Sequence, residues 1–315
     1  MMIQTANGDA VLPARLIGRI AAEMAIDCMI ATRRAHFDVF SGGATYDRVV
    51  LFLALMRHAA CPLVGARTKA RAMSISGLAA SLNQPFETLR RHVQRLALAG
   101  LAIRSSDGVT IPPSACESPV MLALAHRIHD VMVAMIDDLV RLGVAMPDSR
   151  SVETRPAETL HAALDMILYL SERTRPVYGT SLSAMAMNTI VAANVRAITY
   201  DPVLARQYGR IDAIPPDHLR RPITVAALAR ALALPHSTVA REVRRLKDAG
   251  LVRIGADGVI VDRNALAITV LSDSNRAATV RAVQLVQRLR NGGFDFANPA
   301  RHYLGGERPA MTPYS

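Results

Sequence analysis

Thr224-Val-Ala-Ala-Leu-Ala-Arg-Ala-Leu-Ala-Leu-Pro-His-Ser-Thr-Val-Ala-Arg-Glu-Val-Arg-Arg-Leu-Lys-Asp-Ala-Gly-Leu-Val-Arg-Ile254 decides how the chain is read. It spells a short helix, a tight turn at Leu234-Pro235 and a second, longer helix. Val239, Val243 and Leu246 follow i, i+4, i+7 spacing, so they share one face, the one to bury. Ser237, Arg241, Arg244, Arg245 and Asp248 take the opposite face. Ala249-Gly250 ends the helix, because Gly suits the left-handed conformation of a C-terminal cap. Leu251 to Ile254 and Val259 to Val261, joined by Gly255-Ala-Asp-Gly258, read as a two-stranded hairpin.

The same order of elements occurs once before. Ile75-Ser-Gly-Leu-Ala-Ala-Ser-Leu82 precedes Pro85-Phe-Glu-Thr-Leu-Arg-Arg-His-Val-Gln-Arg-Leu96, Ala99-Gly100-Leu101 ends the helix, and Asp107-Gly108-Val109 turns a hairpin. A shift of about 150 positions aligns the two stretches without a gap, with roughly 15 of 37 positions identical, which is the signature of a repeat. Leu78 falls on Leu228, Pro85 on Pro235, Thr88 on Thr238, Arg91 on Arg241, Arg95 on Arg245 and Gly100 on Gly250. Alanine-rich helices match by accident, but an ungapped match through turn, cap and hairpin is much harder to reach that way.

The 315 residues suffice for one or two substantial cores. With 51% apolar and 20% charged residues the chain is globular, and its Ala, Leu, Val and Met favour helices. A formal net charge of +11 points to a polyanionic partner. Most of the excess is Arg, which forks onto phosphates and guanine edges. Cys28, Cys61 and Cys116 form no CxxC pair, which suits a reducing cytoplasm and argues against a disulfide frame or a zinc finger. The first residues lack the basic start and apolar core of a signal peptide. No uninterrupted apolar run reaches membrane-spanning length; Val49 to Met56 is the strongest, and Arg57 stops it.

In chain order, Pro13 to Thr32 predicts a helix with Leu16, Ile20 and Met24 on one side. A loop with Ser41-Gly-Gly43 follows, then a helix from Tyr46 to Ala59 that is apolar nearly all round and so buried. Cys61-Pro62 ends it, and a basic connector carries Arg67, Lys69 and Arg71. After the first repeated unit, Ser118 to Val144 predicts a long helix with Met121, Leu124, Ile128, Met132, Met135 and Leu139 at helical spacing. The polar stretch from Met146 to Pro156 separates two halves, 1–150 and 151–315. The second half predicts a helix from Ala157 to Glu172, a loop from Arg173 to Gly179 and a helix from Leu182 to Thr199. A short helix then opens at Asp201-Pro202, and a Pro-rich connector leads to the second unit. A last helix runs from Asp273 to Arg290, and the tail to Ser315 reads as loose. The plan is therefore two helices, a helix–turn–helix–hairpin unit and a trailing helix, twice.

Both units, about 74–113 and 222–263, resemble the winged helix-turn-helix of bacterial transcription regulators of the MarR, IclR and Crp kinds. Leu228-Ala229, Leu232, Leu234-Pro-His-Ser-Thr-Val-Ala-Arg241, Leu246 and Ala249-Gly-Leu251 carry the likeness, which covers about 45 residues of each half. It implies a mainly α fold, tandem winged helix-turn-helix domains with small β-hairpin wings and flanking helices. It also implies that the second helix of each unit lies in a major groove of double-stranded DNA and reads bases from its first turn. By position, His236, Ser237, Thr238 and Arg241 would read, with Arg244, Arg245 and the wing's Arg253 near phosphates. In the first unit the same task would fall to Phe86, Glu87, Thr88, Arg91, Gln94, Arg95 and the wing's Arg104.

The function implied is sequence-specific regulation of transcription in a bacterial cytoplasm, on the nucleoid, with a homodimer possible and the identity of any effector open. Two other readings stand beside it: a plasmid replication initiator or chromosome-maintenance factor, and a winged adaptor that docks on protein. The adaptor reading fits the first unit better, because its front carries Glu87 and has Leu98 where the second unit has Asp248; Glu87 could instead accept from a cytosine amino group. His126, His129 and Asp130 share one long helix, but no fourth ligand accompanies them, so they read as a solvated or dimer-facing group with no metal. The Met-rich faces read as core. No GxGxxG, P-loop, HExxH or nucleophile elbow is present, so no enzyme and no cofactor is expected.

Overall fold

The chain opens on two long helices, α1 (Ala14–Ala35) and α2 (Thr45–His58). The computed structural model describes residues 13–41, 45–59, 71–150, 152–267 and 269–314. The expected helix end at Cys61-Pro62 and the connector through Arg67 and Lys69 lie outside those residues. The first repeated unit follows as α3 (Ile75–Ser81), α4 (Phe86–Leu98) and the hairpin β1 (Ile103–Ser105) with β2 (Gly108–Thr110). A short α5 (Pro113–Cys116) leads to α6 (Pro119–Arg141), which the Ser118 hydroxyl starts by accepting from the Met121 N–H at 3.2 Å.

The second half runs α7 (Pro156–Tyr178), α8 (Ser181–Thr199) and α9 (Pro202–Gln207), the last capped by the Asp201 carboxylate. Then come α10 (Val225–Leu232), α11 (His236–Asp248) and the hairpin β3 (Val252–Gly255) with β4 (Gly258–Val261). α12 (Arg263–Ala267) and α13 (Thr269–Asn291) close the helical part.

Local geometry matches between the two units. Ser74 and Thr224 cap the first helices through N–H bonds from Gly77 and Ala227 at 3.0 and 3.1 Å. Asn83 and Ala233 take left-handed φ of 48° and 51° in the turns between helices. Gly108 and Gly258 sit at φ 131° and 128°, where an added Cβ would lie 2.4 and 2.5 Å from the carbonyl oxygens of Met73 and Ile223. Only Gly fits there, because those carbonyls belong to a bridge that fastens each hairpin to the strand entering its unit.

The long helices form one scaffold. α1 and α7 each pack against both α6 and α13, α1 also packs on α8, and α7 on α2. Gly18 leaves room on α1 for the Asn275 side chain of α13, whose Oδ1 would lie 2.1 Å from an added Cβ. The buried apolar cluster runs without interruption through both halves. Asp165 of α7 ties three elements together, accepting from Arg57 of α2 at 2.6 Å and from Arg288 of α13 at 2.7 Å. α6 is long and apolar enough to cross a membrane by length and composition, although charged residues interrupt its apolar run. It lies inside the protein between α1 and α7, with Asp130, Asp137 and Asp138 buried along it.

Three expectations are corrected. Residues 173–178, read as loop, complete α7; Pro176 costs only a bond in the last turn, and Gly179 at φ 81° ends the helix. Arg175, paired with Asp47, and the buried Tyr178 hold that turn down. The C-terminal tail is tied, not loose. Asp130 accepts the Leu304 and Gly305 N–H groups at 2.8 and 2.9 Å, Arg308 pairs with Asp138 at 2.7 Å, and Asp27 receives Thr312. His129 is neither solvated nor dimer-facing; it is buried with Nδ1 at 2.8 Å from Asp130.

The tail also closes over Glu23 of α1. Burial pushes this carboxyl up to about 7, although Arg196 and the Tyr200 hydroxyl pull the other way; Asp138 and Arg308 also act on it, with opposite signs. A carboxyl raised in the folded state favours folding only while protonated. Its penalty begins as pH passes the unfolded value near 4.5 and is complete above 7. Glu23→Gln is therefore expected to leave stability nearly unchanged at pH 4.5 and to raise it by about 3 kcal/mol at pH 8. Arg196, left without its partner, is partly exposed and keeps its hydration. Thermal melts at the two pH values check this; equal shifts at both would contradict it.

Candidate nucleic-acid interface

α11 is held from behind and open in front. Val239, Val243 and Leu246 are buried, each contributing roughly 1.5–3 kcal/mol of apolar burial. They face α10 and α8, on which the unit rests. Asn194 of α8 fixes the wing: its amide donates to the Arg221 and Val259 carbonyls at 2.7 and 3.2 Å and accepts from Val261 N–H at 2.8 Å. The wing is thus mounted on the scaffold through the Asn194 amide.

His236, Ser237, Arg241 and Arg244 are exposed along the front of α11, and Thr238 is half-buried. Among the described residues neither Arg241 nor Arg244 has an ion pair, so both guanidinium groups are available to an outside anion. Pro235 gives the helix no side-chain cap, which leaves its first N–H groups and the positive end of its dipole facing outward.

Two exposed positions expected to contact phosphate are engaged by partners within the chain. Arg245 bonds to Glu242 at 3.0 Å, to the Tyr178 carbonyl at 2.7 Å and to the Ser183 hydroxyl. It hooks α11 onto the corner between α7 and α8. Arg253 on the wing pairs with Asp217 and with Asp262, the latter at 3.3 Å. The alignment that selected both residues sees which side of a helix or strand a residue takes, not where a long side chain ends.

The first unit has the same frame with a different front. Leu89, Val93 and Leu96 are buried, and Phe86, Glu87, Thr88, Arg91, Gln94, Arg95 and Arg104 are exposed. Glu87 accepts from Arg90 at 2.8 and 2.9 Å and from Arg91 at 3.4 Å. The Arg90 hydrogen bond, helped by Arg91, holds its carboxyl down at about 2, so it stays ionised and offsets both cations. Leu98 is 83% exposed, and Phe86 and Ile103 are also on the surface. His92 is buried on the back of α4, and burial next to Arg48 keeps its pKa low, so it stays neutral.

Two cavities lie behind and beside the second unit. The smaller one, about 110 Å³, sits between α1, α7, α8 and α13. Arg15 and Arg19 line it, and each keeps a buried N–H group without a partner. Burial, reinforced by Arg15, pulls Arg19 down to about 9. The other is an open cleft of about 680 Å³ between the end of α1 and the start of α11. The sequence reading missed this face, because Arg33 and Phe37 precede α11 by some two hundred residues. Among the described residues there is no cluster of three or more His, Cys, Asp and Glu side chains suited to a metal ion.

A family model for the MarR family matches residues 218–259, which spans α10, α11 and most of the wing. That match supports a winged-helix, DNA-binding transcription regulator. No curated protein and no solved structure matches the chain.

Proposed function

We propose that the chain is a sequence-specific, double-stranded-DNA-binding transcription regulator that carries two winged units, at about 74–113 and 222–263, on one scaffold. The observation that carries this reading is the front of α11, where Arg241 and Arg244 stand exposed, without an ion pair among the described residues, on a rigidly mounted helix. In this reading the halves 1–150 and 151–315 are related by duplication, and the reciprocal packing of α1 and α7 on α6 and α13 is the pattern of an isologous interface. The protein works without catalysis or cofactor in the cytoplasm of a bacterium. The first unit, with Glu87 offsetting Arg90 and Arg91, supplies the weaker DNA contact. Its exposed Leu98 favours a second reading for that unit alone, as a protein-docking face.

Titration of labelled duplex DNA with the full chain at several salt concentrations tests the proposal. The affinity is expected to fall steeply with salt, with a slope of log K against log salt close to −0.9 for each phosphate neutralised. Binding that is absent at low salt would overturn it. Binding insensitive to both salt and DNA sequence would do the same.

A further inference from the structure

The first half reaches across to the reading helix of the second. Tyr46 of α2 donates to the Leu232 carbonyl at the end of α10 at 2.9 Å. The segment from Arg33 to Ser41 forms one wall of the open cleft, and the other wall is α10 with the start of α11. Arg33, Arg230, His236 and Arg241 line it, and among the described residues no aspartate or glutamate does. The uncapped N-terminus of α11 faces the same space, so the helix dipole and the Arg33 and Arg241 guanidinium groups carry one sign.

Arg33 supplies a second, independent sign of an anion. It is only 2% exposed, yet its Nε and Nη1 have no hydrogen-bond partner among the described residues. Phe37 stacks on its guanidinium, 4.8 Å from the ring centroid. Burial lowers its pKa, the buried Tyr46 hydroxyl acts against that, and Arg34 adds to it; an arginine stays cationic through such a shift. A buried cation with unsatisfied N–H groups is costly, and an anion entering the cleft would remove that cost.

We propose that this cleft is a phosphate-binding subsite shared between the halves. Arg33 from α1 and the N-terminal N–H groups of α11 would grip one backbone phosphate beside the bases that α11 reads. The inference rests on the DNA-binding reading for the source of the phosphate, but not for the anion chemistry, which a free phosphate would share.

The full chain and its Arg33→Gln and Arg33→Lys variants are tested in two ways. In duplex titrations Arg33→Gln is expected to bind several-fold more weakly, with a salt slope smaller by about one, and Arg33→Lys to keep the slope. In thermal melts without DNA, inorganic phosphate is expected to raise the wild-type melting temperature above that in chloride of equal ionic strength, and not to do so for Arg33→Gln. Wild type that fails to bind DNA but keeps this phosphate effect, with its loss in Arg33→Gln, would remove the DNA reading and leave the subsite standing for a free phosphate. An unchanged affinity and slope in Arg33→Gln would overturn the proposal. An equal loss of slope in Arg33→Lys would overturn it too, since charge would then not be what matters. If Arg33→Gln does not fold, Arg33→Lys and the wild-type phosphate melt decide: no phosphate stabilisation of the wild type overturns the subsite.

Discussion

Replacing Arg241 and Arg244 together by Ala is expected to cost the chain about 2–5 kcal/mol of DNA affinity, a loss of roughly thirty- to several-thousand-fold. Both side chains leave the front of α11 without an ion pair among the described residues, so their charge is free for an outside anion. A guanidinium that reads a guanine edge is worth about 1–3 kcal/mol, and a phosphate contact adds a salt-dependent share. The matched pair in the first unit, Arg91→Ala with Gln94→Ala, is expected to cost under about 1 kcal/mol, because Arg91 already shares the Glu87 carboxylate. Binding titrations of the two double variants against wild type measure the difference. Equal losses from the two units would remove the asymmetry argued here, and no loss from the α11 pair would remove α11 as the main reading helix.

The second large effect lies in the scaffold. Met132→Asp is expected to destabilise the protein by more than about 4 kcal/mol, because Met132 is 0% exposed on a helix packed between α1 and α7. Met132→Leu, which keeps volume and polarity, should cost less than about 1.5 kcal/mol. Since α6 joins elements of both halves, the aspartate variant should lose both units in one transition rather than one after the other. Thermal melts followed by circular dichroism check this, and a wild-type-like curve for Met132→Asp would contradict it.

What the sequence made legible was local. The two helix–turn–helix–hairpin units announce themselves through period-3.6 apolar spacing, Ser74 and Thr224 as caps and the Gly residues at fixed offsets, all of which act within a few residues. The pairing of Glu87 with Arg91 was also within reach, being an i, i+4 pair on an exposed helix face. The buried charges were not. Arg15, Arg19, Glu23 and Asp27 recur every fourth residue and look like the solvated side of α1. Their partners lie far along the chain: Ile211, Tyr208, Arg196 and Thr312. The tail looked loose because it has no apolar period, yet it is fastened by carboxylates of α6 and α1 that no local pattern reveals. Arg245 shows the limit within the site: its position on α11 matches the reading face, while its guanidinium ends at Tyr178 and Ser183.

The central claim, that one chain brings two unlike winged units to one DNA site, is tested most directly by footprinting. The probe is the full chain, at concentrations where its mass is that of a single copy, beside a Phe86→Asp/Arg91→Asp variant. Both substituted residues are exposed, so the variant keeps the core. The account predicts an asymmetric wild-type footprint about one helical turn, 10–10.5 base pairs, longer than that of the variant, the difference lying on one side only. Identical footprints would contradict it, and would leave α11 as the single reading head of the chain.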